Sequence, residues 1–174
     1  MGLCAVIGAR LLGAGLVVAT ATRPEHAKLS ERFGADVVIN PRRCDAVEEI
    51  RALVGAADTD CAIDAVGTHE AFENALRVAR EGGKVADVGY QDWCSQGPLP
   101  IPVGFSGPDR SGKTIRSALA PGGSERLARL LRLMQTGRVD PTAMTTHRFH
   151  FDEATRAFEL LQTEGEHIVK PLIT

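Results

Sequence analysis

Residues 61–88, CAIDAVGTHEAFENALRVAREGGKVADV, decide the fold of this chain. The stretch opens on Cys61-Ala62-Ile63-Asp64-Ala65-Val66, a short apolar run that reads as a buried strand. Glu70 to Arg80 follows with helical spacing, closed by Gly82-Gly83, and Lys84 to Val88 supplies a second strand. Strand, helix and strand in immediate succession, with the strands apolar nearly throughout, form the pattern of a parallel βαβ unit covered on both faces.

The alternation continues outward. Upstream, Leu3 to Leu12 reads as a helix buried on most sides and ended by Gly13 to Gly15. Leu16 to Ala19 is a buried strand, and Pro24 starts a helix that reaches about Phe33, with Gly34 where a left-handed cap is cheap. Asp36 to Ile39 is another strand, and Ala46 to Val54 a helix carrying Val47, Ile50 and Val54 on one side. Downstream of Tyr90 the rhythm breaks into a loop with Pro98, Pro100 and Pro102, which reads as a connection ahead of an edge strand at Lys113 to Leu119. Pro121-Gly122-Gly123 stops that strand. Ser124 then caps a helix with Leu127, Leu130, Leu131 and Met134 in one stripe, Asp152 caps another with Ala154, Ala157, Phe158 and Leu161, and Ile168 to Thr174 closes as a strand. The expected fold class is α/β with a doubly wound parallel sheet.

Composition narrows the function classes. The 174 residues carry 20 basic and 22 acidic side chains, a net charge of −2, and the charges are scattered, so neither a nucleic acid nor an anionic membrane surface is expected as partner. The apolar opening, Met1 to Thr22, has no basic segment ahead of it and is split by Gly13 to Gly15, which reads against a secretory signal; Val6 stands where N-myristoylation wants Ser or Thr. Cys4, Cys44, Cys61 and Cys94 are far apart with no CxxC pair and read as buried thiols of a reducing, cytoplasmic protein.

Four patterns suggest chemistry. Gly107 to Thr114 satisfies GxxxxGK[ST], the phosphate-wrapping P-loop, but a proline-rich loop precedes it and Thr114-Ile115 favour strand over the helix such a loop requires. In the first βαβ unit, Gly2 is placed as the third glycine of a dinucleotide turn. The ribose-reading position then falls at Ala21-Thr22-Arg23-Pro24, which holds no acid. An acid there would repel a 2′-phosphate, whereas the Thr22 hydroxyl can donate to it and Arg23 can grip it with two charge-assisted hydrogen bonds. That points to NADP(H) over NAD(H), although the position equally suits a solvated arginine at a strand-to-helix turn. His147 and His150, three apart in an extended segment, fall on opposite faces and read as a polar surface pair. Asp64 and Asp87, near the ends of neighbouring strands, read as polar groups lining a cleft, since no nucleophile or metal set accompanies them.

The stretches Gly2 to Val6, Thr22-Arg23-Pro24, Lys113-Thr114-Ile115, Pro121-Gly122-Gly123, Arg138 to Pro141, Thr146-His147 and Ile168 to Pro171 together resemble the zinc-dependent medium-chain alcohol dehydrogenases, most narrowly the NADP-dependent secondary alcohol dehydrogenases. The resemblance runs over the whole chain in order and corresponds to the second half of a family member. It implies a Rossmann domain that binds NADP(H), followed by a segment of a catalytic domain that exchanges hydride with a secondary alcohol or ketone. Carried over by position, Gly2 is the last glycine of the dinucleotide turn, Thr22 and Arg23 hold the 2′-phosphate, and Val66, Gly67, Val88, Gly89 and Tyr90 line the cofactor cleft. Pro41 stands where these enzymes tend to have a tyrosine, and Gly89 where they carry an asparagine. Lys113-Thr114 falls on the last Rossmann strand. The zinc ligands of the family lie upstream of this region, so no zinc ligand is expected here.

The expected division is a partial Rossmann domain over residues 1–119 and a catalytic-domain segment over 120–174. With the central first strand and the first two glycines of the turn outside this sequence, strands 2 and 4 are expected to keep unpaired edges. The helix faces of 120–174 then need another partner, so self-association is expected. The functional expectation is the cofactor-binding part of an NADP(H)-dependent alcohol dehydrogenase, truncated and inactive alone. The alternatives are a non-catalytic nucleotide-binding or interaction subunit, and a P-loop NTP-binding protein.

Overall fold

The computed structural model describes residues 1–55, 58–89, 112–117, 122–163 and 167–174. In chain order the elements are α1 (Gly2–Leu11), β1 (Val18–Thr20), α2 (Pro24–Arg32), β2 (Val37–Ile39), α3 (Ala46–Val54), β3 (Thr59–Asp64), α4 (His69–Val78), β4 (Ala79–Asp87), β5 (Thr114–Ser117), α5 (Ser124–Gln135), β6 (Thr145–Phe149), α6 (Ala154–Thr163) and β7 (Lys170–Ile173). They divide into two compact units, one of Met1–Ala5 with Pro41–Ala120, the other of Val6–Asn40 with Pro121–Thr174. All strand pairs are parallel: β1 with β2, then β3-β4-β5 in that order, then β6 with β7. In a doubly wound order 3-2-1-4-5-6 the first two sheets are strands 2 and 3, and strands 4, 5 and 6. Among the described residues no strand pairs with the other edge of β1 or of β3.

In the first unit, Asp45 sets the start of α3 by accepting from Val47 N at 2.9 Å and Glu48 N at 3.3 Å, and Thr68 Oγ1 starts α4 by accepting from Ala71 N. Helix α4 packs on β3 and β4 and against α3, with Phe72, Val47 and Val85 fully buried. Each such side chain contributes on the order of 1.5–3 kcal/mol of transfer free energy.

Helix α4 ends earlier than its spacing suggests, and the Gly82-Gly83 stop expected from sequence is not a helix stop. Arg51 donates to the Arg77 carbonyl at 3.0 Å and Thr59 Oγ1 to the Val78 carbonyl at 2.8 Å, so side chains cap the last turn. The chain passes straight into β4. Thr59 pairs with Ala79 and Cys61 with Lys84, which leaves residues 80–83 opposite Asp60 as a bulge. Gly82 has φ +67°, and a Cβ on Gly83 would stand 2.8 Å from the Arg80 carbonyl oxygen, so the two glycines serve the bulge.

In the second unit, Val6, Val17 and Ala35 are buried with Ala9, Ala14, Ala19, Phe33 and Val38 around them. The Arg10 side chain ties this cluster together. Its guanidinium donates to the Gly34 and Ala14 carbonyls and pairs with the Asp36 carboxylate, which also accepts from Val17 N at 2.7 Å. The Val17 N–H first, then Arg10, hold the Asp36 carboxyl below its ordinary value of 3.8. A depressed folded pKa gives a contribution that is complete above the ordinary value and is lost as pH falls below it. Thermal midpoints followed from neutral pH down to about pH 2.5 are therefore expected to fall more steeply in the wild type than in Asp36→Asn; parallel curves would refute the assignment.

The caps of the last two helices differ from expectation. Ser124 is the first residue of α5, preceded by Gly123 with φ +111° and no side-chain cap. Asp152 lies inside a single 3-10 turn, Phe151–Glu153, started by His150, whose N–H donates to Glu153 Oε2 at 3.2 Å. The expected stripe on α5 is real and uncovered, with Leu127, Leu130, Leu131 and Met134 all exposed among the described residues.

Candidate functional site

The residues singled out from sequence fall in both units. In the first, Asp64 organises the ends of β3 and β4. Its carboxylate accepts from Val66 N at 2.8 Å and Gly67 N at 3.2 Å, a turn in which Gly67 takes φ +88°. Its main-chain carbonyl accepts from Val88 N at 2.8 Å and Gly89 N at 3.0 Å. Val66 and Val88 are exposed at these ends, Gly67 is buried, and a Cβ on Gly89 would meet Gly67 N at 2.3 Å. Gly2 opens α1, and a Cβ there would reach Ala65 Cβ only at 3.9 Å, an ordinary contact. Tyr90 lies outside the described residues.

Asp64 and Asp87 face each other as strand partners, and each is only 3% exposed. They therefore do not line a cleft as the sequence reading had it. Asp64 holds a turn, and Asp87 keeps Oδ1 buried with no hydrogen-bond partner among the described residues. The turn role is legible in retrospect, since Asp followed two and three residues later by Val66 and Gly67 is the spacing of an Asx turn.

In the second unit, Thr22 is half-buried and Arg23 is exposed, at the junction of β1 and α2. Arg23 takes extended backbone angles before Pro24 and makes no side-chain cap to the helix, which leaves its guanidinium at the helix start. His26 follows in the first turn. Its buried Nδ1 has no partner among the described residues, and burial first, then the Arg23 charge, lower its pKa from the ordinary value. Glu25 is engaged by Lys28 at 2.8 Å. A cavity of about 470 Å³ in this unit, lined by Ile7, Leu11, Phe33, Arg32 and Arg138 among others, sits at the C-terminal ends of α1 and α2 and so at the opposite end of α2 from Arg23.

The P-loop reading is overturned. Thr114 starts β5, where it pairs with Lys84, and Lys113 Nζ donates to the Leu76 carbonyl at 2.8 Å, so neither a helix nor a free lysine is present to meet phosphate. Gly107 to Ser111 lie outside the described residues. His147 stacks on Phe149 at 6.3 Å within β6, and among the described residues no three His, Cys, Asp or Glu side chains are grouped to hold a metal. Cys4 and Cys61 are exposed and Cys44 half-buried, against the expectation of buried thiols; Cys94 is outside the described residues. No helix among the described residues is long and apolar enough to cross a membrane.

The family model for zinc-binding dehydrogenases matches residues 1–136. An alcohol dehydrogenase of Cupriavidus necator is 36% identical over 170 residues, 98% of this chain and 45% of the relative. The NADP-dependent isopropanol dehydrogenase of Thermoanaerobacter brockii is 34% identical, over 99% of this chain and 49% of its own length. Among solved structures, the alcohol dehydrogenase TADH from Thermus sp. ATN1 superposes with a TM-score of 0.82 at 27% identity, covering 99% of this chain and 47% of that one. The chain thus spans about half the length of the curated relatives it matches, and its parallel α/β architecture is the Rossmann type of these dehydrogenases. With the family model matching most of its length, the chain belongs to the zinc-binding dehydrogenase family.

Proposed function

We propose that this chain is the NADP(H)-binding part of an alcohol dehydrogenase, over residues 1–119, joined to a catalytic-domain segment over 120–174. The single observation that carries the reading is the β1–α2 junction: Thr22 and an outward Arg23 stand there with no acid between Ala21 and Pro24. This donor set suits a 2′-phosphate and would leave an unphosphorylated ribose without its usual carboxylate partner. The cofactor, when bound, supplies the hydride exchanged between a secondary alcohol and its ketone. Thr22 and Arg23 are the residues proposed for its 2′-phosphate, and Gly2, Val66, Gly67, Val88, Gly89 and Tyr90 are those that the family resemblance assigns to cofactor binding. Among the described residues no three His, Cys, Asp or Glu side chains are grouped to hold zinc. Self-association through the uncovered α5 face and a cytoplasmic setting complete the reading.

The test is fluorescence titration of the chain with NADPH and NADH. NADPH is expected to bind at least tenfold more tightly, which corresponds to about 1.4 kcal/mol of selectivity. Equal affinities, or a preference for NADH, would contradict the proposal.

A further inference from the structure

Arg23 stands at the N-cap of α2 and His26 in its first turn, near enough for the Arg23 charge to act on the His26 ring. The His26 ring is half-buried with Nδ1 sealed off and unpartnered among the described residues, which leaves Nε2 as the nitrogen that a ligand can reach. Burial and the nearby guanidinium favour the neutral imidazole. In the neutral ring, a proton on buried Nδ1 would forfeit its hydrogen bond, whereas a proton on Nε2 keeps one with water or a ligand. The carboxylate in the same turn, Glu25, is drawn to Lys28 at 2.8 Å, so its charge is paired. The junction therefore presents a hydroxyl, a guanidinium and an imidazole N–H, three donors of different geometry.

We propose that His26 is a specificity residue for 2′-phosphorylated ribonucleotides, its Nε2–H donating to a phosphate oxygen held by Arg23 and Thr22. The inference rests on the cofactor reading above and deepens it by adding a third donor to the phosphate. A neutral donor of this kind favours a phosphate ester over a bare ribose hydroxyl, because a hydrogen bond to a charged acceptor is the stronger one.

The probes are 2′,5′-ADP and 5′-AMP, which differ only in the 2′-phosphate, titrated by calorimetry against the 174-residue chain and its variants. His26→Ala is expected to weaken 2′,5′-ADP about tenfold and to leave 5′-AMP unchanged, with His26→Gln, which restores an N–H donor, recovering part of the loss. In the wild-type chain the His26 ring Cε1–H resonance is expected to shift on adding 2′,5′-ADP and to stay in place with 5′-AMP. That measurement needs no variant to fold. A wild type that prefers 2′,5′-ADP while His26→Ala binds it equally well, or a ring signal that ignores it, overturns the role of His26 alone. A wild type that does not distinguish the two probes overturns the cofactor reading and this inference with it.

Discussion

Gly89→Ala is expected to lower the thermal midpoint of this chain by roughly 6–12 °C, from a loss of about 3 kcal/mol at 2–4 °C per kcal/mol. The cause is steric and local. A Cβ on Gly89 would stand 2.3 Å from Gly67 N, 2.6 Å from Gly67 Cα and 3.0 Å from Val66 C, all backbone atoms. That backbone cannot easily retreat, because the Asp64 carboxylate holds Val66 N and Gly67 N while its carbonyl holds Val88 N and Gly89 N. Gly89 is not among the glycines of positive φ, so alanine is acceptable to its dihedrals and the whole effect comes from contact. Gly8→Ala is the matched control: it lies inside α1 with nothing within 4 Å of the added carbon, and is expected to be neutral or slightly stabilising. A Gly89→Ala chain that melts with the wild type would show that the β3 and β4 ends are not packed this closely. The same contact accounts for a departure from the resemblance: an asparagine at position 89 would require Val66 and Gly67 to move.

Arg23→Ala is expected to cost about 30-fold in NADPH affinity, with NADH affinity unchanged. Hydrogen bonds to a charged group are worth about 1.5–3 kcal/mol each, and a guanidinium can make two to a phosphate, so about 2 kcal/mol net is a moderate expectation. The variant is informative because Arg23 is exposed and caps nothing, which leaves the fold little to lose. Parallel titrations of NADPH and NADH, with a melting curve as control, separate a phosphate contact from general damage. Equal losses for the two cofactors would place Arg23 outside the phosphate site.

The sequence disclosed what depends on local pattern. Helix α3 was expected at Ala46 to Val54 and is found there, because Asp45 is an explicit cap and its apolar spacing is regular. Strands β1, β2, β3 and β7 were found within two residues of their expected bounds, since short apolar runs between turn residues have few other uses, whereas β4 begins five residues early and no strand was expected at β6. What escaped was set by partners distant in sequence. The early end of α4 depends on Arg51 and Thr59 reaching its last carbonyls, and the Gly82-Gly83 bulge on the register between β3 and β4. The position of Thr22 and Arg23 at the β1–α2 junction was legible because a strand-to-helix turn is a local fact. The roles of Asp64 and Gly89 were not, since they arise only where the ends of two strands meet. Burial of the cysteines was misjudged for the same reason: in a strand such as β3 the register decides which face Cys61 occupies.

Arg10 has a consequence for how the molecule breathes. One guanidinium serves acceptors in the turn after α1, the turn after α2 and the start of β2, and Asp36 in turn holds the amide that leads into β1. These turns cannot fray independently, because releasing any one of them loosens the anchor of the others. The segment from Arg10 to Asp36 is therefore expected to open as one cooperative unit in amide exchange, and the Thr22-Arg23 junction lies inside it. A ligand gripped at that junction would slow the opening of the entire segment, so occupancy at the phosphate end would be felt as protection at amides well beyond its direct contacts.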